Sequence, residues 1–216
     1  MAYIDKHGLI HGKCGNKVFS VRNKKQIVSN LPQKRSTPPT KAQLLQQQKF
    51  AIASKVSHAF RSLFEAFQST YHANKIQQFT SYLLKNHVEV HNDQPFLNYN
   101  HLVLLYGALP CYSSFSIQKH FEGMITVEWD SLSYPKNITP LPAVALIAYC
   151  PTLNVYIDQL QVERQGEGFA VFCLDKAWKG KEVHCWAYGY YLKNTYDYPL
   201  KQQQFSTTTY LGSLVL

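Results

Sequence analysis

The chain has 216 residues, of which 45% are hydrophobic and 14% aromatic, so it is long enough for one large domain or two small ones. It holds no apolar run of about 18 residues and no N-terminal apolar segment like a secretory signal. We therefore expect a cytoplasmic protein, or a component of a virion or other assembled particle. Residues 1–85 carry 14 Lys and Arg against two acids, whereas residues 86–216 carry eight against eleven, so the two parts should face different surroundings.

The chain opens with a glycine-rich segment. Gly8, Gly12 and Gly15 lie within eight positions and are interpreted as structural turns that need positive φ. The segment resembles a phosphate-binding loop only superficially, because three residues separate the first two glycines and a cysteine follows Lys13. We therefore expect a structural turn here and no nucleotide site.

A β-hairpin is predicted next. Residues 18–21 and 26–29 are short β-type runs, and Asn23-Lys24 lies between them. An isolated hairpin is marginally stable in water. The hairpin must therefore dock on its own domain or on a neighbour.

A proline-rich linker and a helical segment follow. Residues 30–40 hold three prolines, which favour extended chain. Thr40 and Gln43 fit a capping box, in which both side chains satisfy backbone N–H groups at a helix start. A second helical run should end near Asn86. In the helix that follows Thr40, apolar residues recur at helical spacing and predict one buried face: Ile52, Val56, Phe60, Leu63, Phe67 and Tyr71.

From residue 95 short apolar runs alternate with turn residues. They predict seven strands, at residues 102–106, 124–129, 143–149, 154–158, 169–174, 182–191 and 207–215. The predicted class is α+β, with an N-terminal hairpin arm and a helical segment followed by an all-β sandwich like those of immunoglobulin or fibronectin type III domains. The expected domains are residues 1–36, 37–94 and 95–216.

Candidate chemistry is sparse. His87 and His91 are four apart with Glu89 between them, but no third ligand is evident, so we interpret them as an ordinary surface pair. We expect no metal and no cofactor. The thiols in or near apolar strand sequence are expected to be inert core residues: Cys111, Cys150, Cys173 and Cys185. No nucleophile–base arrangement stands out, so we expect no enzymatic activity.

The N-terminal cations are the strongest candidates for function. Aromatic residues are few among them, and lysines outnumber arginines, which suits diffuse attraction to phosphates better than base readout. The candidate partner- or phosphate-binding residues are Lys13, Lys17, Arg22, Lys24, Lys25, Lys34, Arg35 and Lys41.

Several short motifs are spread along the chain. The N-terminal ones are Gly8-x-x-x-Gly12-Lys13-x-Gly15 and Pro38-x-Thr40-x-Ala42-Gln43. Others lie at Arg164, at Trp178-x-Gly180-x-x-Val183-His184 and at Tyr210-Leu211-Gly212. Together they resemble the motifs of a family of uncharacterised proteins of about this length that is common in Bacteroidetes. The proline-threonine segment is also similar to segments of some phage-derived proteins. The resemblance implies no activity and no catalytic residues.

Three hypotheses about function remain open. The first is a non-enzymatic structural or assembly protein whose N-terminal arm docks on a neighbouring copy or partner, giving a homo-oligomer. The second is a nucleic-acid-binding protein that uses residues 13–41. The third and weakest is a ligand- or carbohydrate-binding sandwich that uses the aromatic strand at 182–191.

Overall fold

The computed structural model describes residues 2–33, 37–68, 75–120, 123–130, 142–160, 168–191, 200–201 and 205–216. The chain divides into two compact units, Met1–Thr40 and Lys41–Leu216. The helical segment and the strands from residue 95 onward therefore belong to one unit. No helix among the described residues is long and apolar enough to cross a bilayer.

The N-terminal unit is an antiparallel sheet in the order β1-β2-β3-β4. Asn23 (φ +50°) and Lys24 (φ +62°) form a tight turn of the kind that favours hairpins, so the predicted hairpin is confirmed. The predicted turn glycines all have positive φ: Gly8, Gly12 and Gly15. The strands are β1 (Tyr3–Ile4), β2 (Ile10–Cys14), β3 (Lys17–Arg22) and β4 (Lys25–Asn30).

The second unit begins with helices α1 (Lys41–Ala59) and α2 (Arg61–Ala66), followed after a gap in the description by α3 (Lys75–Asn86). The first helix starts directly after Thr40, and the third ends at Asn86, as predicted. The predicted apolar face is buried at Val56, Phe60, Leu63 and Phe67, is half-buried at Ile52, and its Tyr71 lies outside the described residues.

Phe67 is no longer helical, because β5 (Phe67–Gln68) pairs in parallel with β14 (Leu200–Lys201). Two further strands form a hairpin that the sequence did not predict, β6 (Val88–His91) and β7 (Gln94–Leu97). Its turn again uses a pair of positive-φ residues, Asn92 and Asp93.

Six of the seven predicted strands are confirmed, and β8, which was not predicted, joins them. Within the described residues they form two antiparallel sheets, in the orders β12-β9-β8 and β11-β10-β13-β15. A 3-10 helix, Lys176–Trp178, precedes β13. The strands are β8 (Ser113–Lys119), β9 (Met124–Asp130), β10 (Ala143–Cys150), β11 (Val155–Leu160), β12 (Phe169–Cys173), β13 (Glu182–Tyr190) and β15 (Thr209–Val215).

The strand predicted at 102–106 is wrong. Residues 102–105 form no strand. They are nevertheless part of the core, because Leu102, Leu104 and Leu105 are fully buried. Thr208 Oγ1 accepts the backbone N–H groups of Leu104 (2.9 Å) and Leu105 (3.2 Å). Trp186 Nε1 donates to the carbonyl of Leu102 at 2.7 Å. Side chains thus satisfy backbone groups that a neighbouring strand would otherwise pair, which is why an apolar run is buried here without joining a sheet.

The sheet β11-β10-β13-β15 is buried on both faces, because alternate residues of its central strands join different apolar clusters. On one face, Tyr149 and Trp186 of the sheet share an apolar cluster with Phe60 and Phe64 of the helical segment. The neighbouring residues on the other face pack against Ile125, Val127 and Phe172 of the sheet β12-β9-β8. The second unit therefore has an α+β fold of three layers: helices, a four-stranded sheet and a three-stranded sheet.

Candidate docking surface

The N-terminal sheet has no core of its own. None of the described residues of this unit is buried, although its strands are well paired. Tyr3, Ile4 and Val28 are 62%, 70% and 52% exposed. A folded sheet gains most of its stability by covering one apolar face, and this one covers neither.

One side of this sheet carries cations beside apolar side chains, and we call it the basic face. Residues paired across antiparallel strands lie on the same side. Arg22 pairs with Lys25, Ser20 with Ile27, and Lys13 with Val18. The basic face comprises Lys13, Val18, Arg22, Lys25 and Ile27.

The opposite side of the hairpin is more apolar. Phe19 pairs with Val28 and Gly12 there, and Lys17 Nζ donates to Asn30 Oδ1 at 2.6 Å. Lys17 is therefore separated from the other cations by the thickness of the sheet, and its ammonium already has a partner.

Gln26 fastens β2 to the hairpin. Its Oε1 accepts the backbone N–H of Ile10 at 2.7 Å, and its Nε2 donates to the Ile10 carbonyl at 2.8 Å. The side-chain amide thus replaces a backbone ladder pair. This contact keeps the sheet together without requiring a hydrophobic core.

The remaining predicted cations are scattered. Lys24 occupies the hairpin turn, and Lys41 is the exposed first residue of α1, in the second unit. Lys34 and Arg35 lie outside the described residues. Of the eight predicted residues, the structure brings Lys13, Arg22 and Lys25 to one face.

The unit's acidic residue, Asp5, is held by its own loop. Its carboxylate accepts the backbone N–H groups of His7 (2.8 Å) and Leu9 (3.0 Å) and contacts His11 Nε2 at 3.0 Å. The hydrogen bond from Leu9, followed by the contact with His11, lowers the pKa of Asp5 to about 2. Its negative charge is thus engaged locally, and the basic face keeps its positive potential.

The residues that sequence reasoning missed on this surface are Val18 and Ile27. Their signal was present, since period-2 alternation in the predicted hairpin puts them beside Arg22 and Lys25.

His87 is not the surface residue that was predicted. It is buried, its Nδ1–H donates to the Asn98 carbonyl at 3.0 Å, and its Nε2 accepts from Tyr82 Oη at 3.0 Å in the neutral ring. Burial lowers the pKa of His87, which favours that neutral ring. His91 is exposed at the end of β6. Among the described residues no group of histidine, cysteine and acidic side chains could hold a metal ion.

The aromatic strand β13 faces the core. Trp186, Tyr188 and Tyr190 are each at most 1% exposed, so their rings fill the helical side of the sheet instead of lining a ligand surface. Next to them, the His184 ring stacks on Tyr99 at 3.7 Å between ring centroids, and its Nδ1 lies 2.9 Å from Tyr210 Oη. Burial lowers the pKa of His184.

The cysteine prediction holds in part. All five thiols are free, and Cys150 and Cys185 are buried. Burial raises the pKa of Cys185 to about 12, so this thiol is unreactive at neutral pH. Cys111 is half-buried, whereas Cys173 is exposed, because its side chain lies on the outer side of the edge strand β12. The prediction of a core thiol is wrong for Cys173.

A cavity of about 380 Å³ lies at one end of the second unit. Lys119 Nζ donates to the Val215 carbonyl at 2.8 Å, and Asp175 Oδ1 accepts the backbone N–H of Ala177 at 2.9 Å. The charged groups of Lys119 and Asp175, which line the cavity, are therefore already hydrogen-bonded to the protein backbone. The lining residues are Lys119, Gly123, Asp175, Lys176, Lys179 and Leu216.

No protein-family model matches the chain, and no curated protein is similar enough to count as a match.

Proposed function

We propose that the protein is a non-enzymatic assembly component whose N-terminal sheet docks on a second copy of the chain. The observation that carries this proposal is a paired sheet in which no described residue is buried. Exposed apolar side chains and unpaired strand edges are features by which sheets associate. A role in an assembled particle, in the cytoplasm or as part of a virion, suits such an arm.

The energetics favour docking over a free arm. Burial of apolar surface contributes about 25 cal/mol per Å², and a stable interface covers about 800 Å² on each partner. Tyr3, Ile4, Ile27 and Val28 are all exposed by more than a third, so the sheet holds apolar area that only docking removes from water.

A proline substitution tests whether the sheet drives assembly. Ser20 lies in the middle of β3, which is paired on both sides within the sheet, so Ser20→Pro removes a ladder hydrogen bond and disrupts the hairpin. We expect light scattering to show an oligomer for the unaltered chain and a monomer for Ser20→Pro.

The matched control is Thr37→Pro, which introduces a proline at an exposed bend outside the sheet and should leave the mass unchanged. Deleting residues 1–40 should reproduce the effect of Ser20→Pro. An unaltered chain that is monomeric at all concentrations, or an oligomer that survives Ser20→Pro, would refute the proposal.

Nucleic-acid binding is the second candidate, and the shared side of Lys13, Arg22 and Lys25 favours it. Each phosphate that a cation neutralises steepens the salt dependence of binding. A filter-binding titration with duplex DNA and single-stranded RNA should then show a salt slope that falls by about one for each cation replaced, as in Arg22→Ala. Absence of binding at low salt would exclude this function.

We also propose that the two sheets of the second unit form an immunoglobulin- or fibronectin-III-like sandwich. Labelled A, B, C, C′, E, F and G in chain order, the strands β8–β13 and β15 give the sheets E-B-A and C′-C-F-G. That strand order supports the proposal, as does the apolar cluster that the sheets share. Amide contacts in NMR spectra should connect β9 with β12 and β10 with β13; ladder contacts between β9 and β10 would contradict it.

A further inference from the structure

The outer side of the sheet β12-β9-β8 carries acids beside exposed apolar side chains. Glu128 pairs with Phe169, and Val171 pairs with Thr126 one step along the strands. Met124, Phe169 and Val171 are 44%, 39% and 47% exposed, although the opposite side of the same strands is fully buried. We call this surface the acidic face, and it comprises Met124, Glu128, Asp130, Phe169 and Val171.

We propose that the acidic face of one copy receives the basic face of the N-terminal sheet of a second copy. This inference rests on the proposed assembly function and names the surface that the arm recognises. Local charge complementarity supports it: the basic face carries Lys13, Arg22 and Lys25, whereas the acids of the acidic face are Glu128 and Asp130.

The order of side chains matches on the two faces. On the basic face, Arg22 and Lys25 form one row, and Ile27 lies in the next row along the hairpin. On the acidic face, Glu128 is followed one row further by Val171. Rows on one side of a sheet are about 7 Å apart, so the cations reach the acids while the apolar residues of both faces meet.

The two components of this contact have different roles. Exposed ion pairs contribute little to affinity, but they set the register and exclude wrong partners. Burial of Ile27 against Val171, and of Val18 against Met124 one row further, supplies most of the affinity.

The contact joins two different surfaces, so it is heterologous. Each copy offers both a basic face and an acidic face, and such a contact propagates into rings or open chains unless two copies exchange arms reciprocally. The inference therefore predicts assemblies larger than a simple symmetric pair at high protein concentration.

A charge exchange tests the contact. We expect Arg22→Glu and Glu128→Lys each to raise the protein concentration at half-maximal assembly by about tenfold. In the double variant this concentration should return to within about threefold of the value for the unaltered chain. Sedimentation measures this concentration. The control is Glu65→Lys, an equal change of charge at an exposed position of α2 that should leave it unchanged.

Cross-linking gives an independent readout. Ser29 pairs with Val18 on the same side of the sheet as the basic face, and Cys173 pairs with Met124 on the same side as the acidic face. In a Cys14→Ser background, Ser29→Cys with a short bis-maleimide should give covalent dimers and higher species, and Cys173→Ser should abolish them.

The outcomes separate this inference from the proposed function. If Ser20→Pro dissociates the oligomer but Glu128→Lys leaves assembly unchanged, the acidic face is not the receptor and only the inference is overturned. If Arg22→Glu releases co-purifying nucleic acid and Glu128→Lys does not rescue assembly, the basic face binds nucleic acid and the inference is overturned. A monomeric unaltered chain overturns both.

Discussion

Tyrosine hydroxyls satisfy several titratable groups in the interior of the second unit. Tyr82 donates to His87, and Tyr188 donates to both carboxylate oxygens of Asp158, at 2.9 and 3.2 Å. A buried polar group without such a partner costs about 1–3 kcal/mol. Tyr82 and Tyr188 therefore do more than fill space, which aromatic content alone does not reveal.

Asp158 should make the stability of the protein depend on pH. Burial raises the pKa of Asp158 to about 6, and the hydrogen bond from Tyr188 opposes that rise only in part. The folded state thus holds this proton more tightly than the unfolded chain, so its contribution is complete below about pH 4 and is lost as the pH rises through about 6.

The unaltered chain should therefore lose unfolding free energy on the order of 2 kcal/mol between pH 4 and pH 7 through Asp158. We expect Asp158→Asn, which keeps an acceptor for Tyr188, to abolish this loss. Urea unfolding at several pH values measures it. Because His87 and His184 have lowered pKa values and act in the opposite direction, the variant is compared with the unaltered chain at each pH. Parallel curves for the two chains would contradict the prediction.

At the scale of elements, the buried segment 102–105 depends on one hydroxyl. Thr208 accepts the backbone N–H groups of Leu104 and Leu105, and its own N–H donates to the Leu105 carbonyl. The contact connects residues about a hundred positions apart, so no local pattern could have predicted it.

Replacing that hydroxyl tests its role. Thr208→Val keeps the shape but leaves two buried N–H groups without an acceptor, so we expect a loss of about 3 kcal/mol in unfolding free energy. Thr208→Ser retains the oxygen and should cost about 1 kcal/mol or less. Equal losses in the two variants would show that the hydroxyl is unimportant.

The hairpin turn of the N-terminal sheet offers a change in the opposite direction. Lys24 has φ +62°, a conformation that costs a residue with a Cβ about 1 kcal/mol and costs glycine almost nothing. Lys24→Gly should stabilise the hairpin and slow amide exchange in β3 and β4 by about fivefold. The control is Lys24→Ala, which removes the same charge without relieving the strain. If amide exchange is as slow in Lys24→Ala as in Lys24→Gly, this explanation is refuted.

At the scale of the whole molecule, the two units differ in how they are stabilised. The second unit has two apolar clusters on either side of one sheet, whereas the N-terminal sheet relies on hydrogen bonds such as those of Gln26. A partner would therefore stabilise the N-terminal sheet more than the second unit, since none of the described residues of the sheet is buried.

Assembly through the basic face should depend on salt. Raising ionic strength from about 50 mM to about 500 mM shortens the range of exposed charge interactions severalfold, so oligomers should weaken but persist, since apolar burial remains. Mass as a function of salt checks this expectation, with Arg22→Glu predicted to show a smaller dependence. Assembly that strengthens steadily with salt would indicate a purely apolar contact.

Local patterns determined much of the secondary structure. The hairpin at Asn23-Lys24, the helix that begins after Thr40 and the strands around Val127 and Trp186 follow from turn chemistry and apolar periodicity, which act over a few residues. The α+β class follows from the same signals. The faces of the N-terminal sheet were also implicit in its alternation.

Tertiary structure decided the rest, because burial depends on residues distant in sequence. It turned an apolar run at 102–105 into an irregular core segment, placed His87 in the interior and left Cys173 outside. It also covered β13 with helices while leaving Met124, Phe169 and Val171 exposed on the outer side of β9 and β12. The sequence alone thus determined which elements form, and only long-range packing determined which of their sides remain available to a partner.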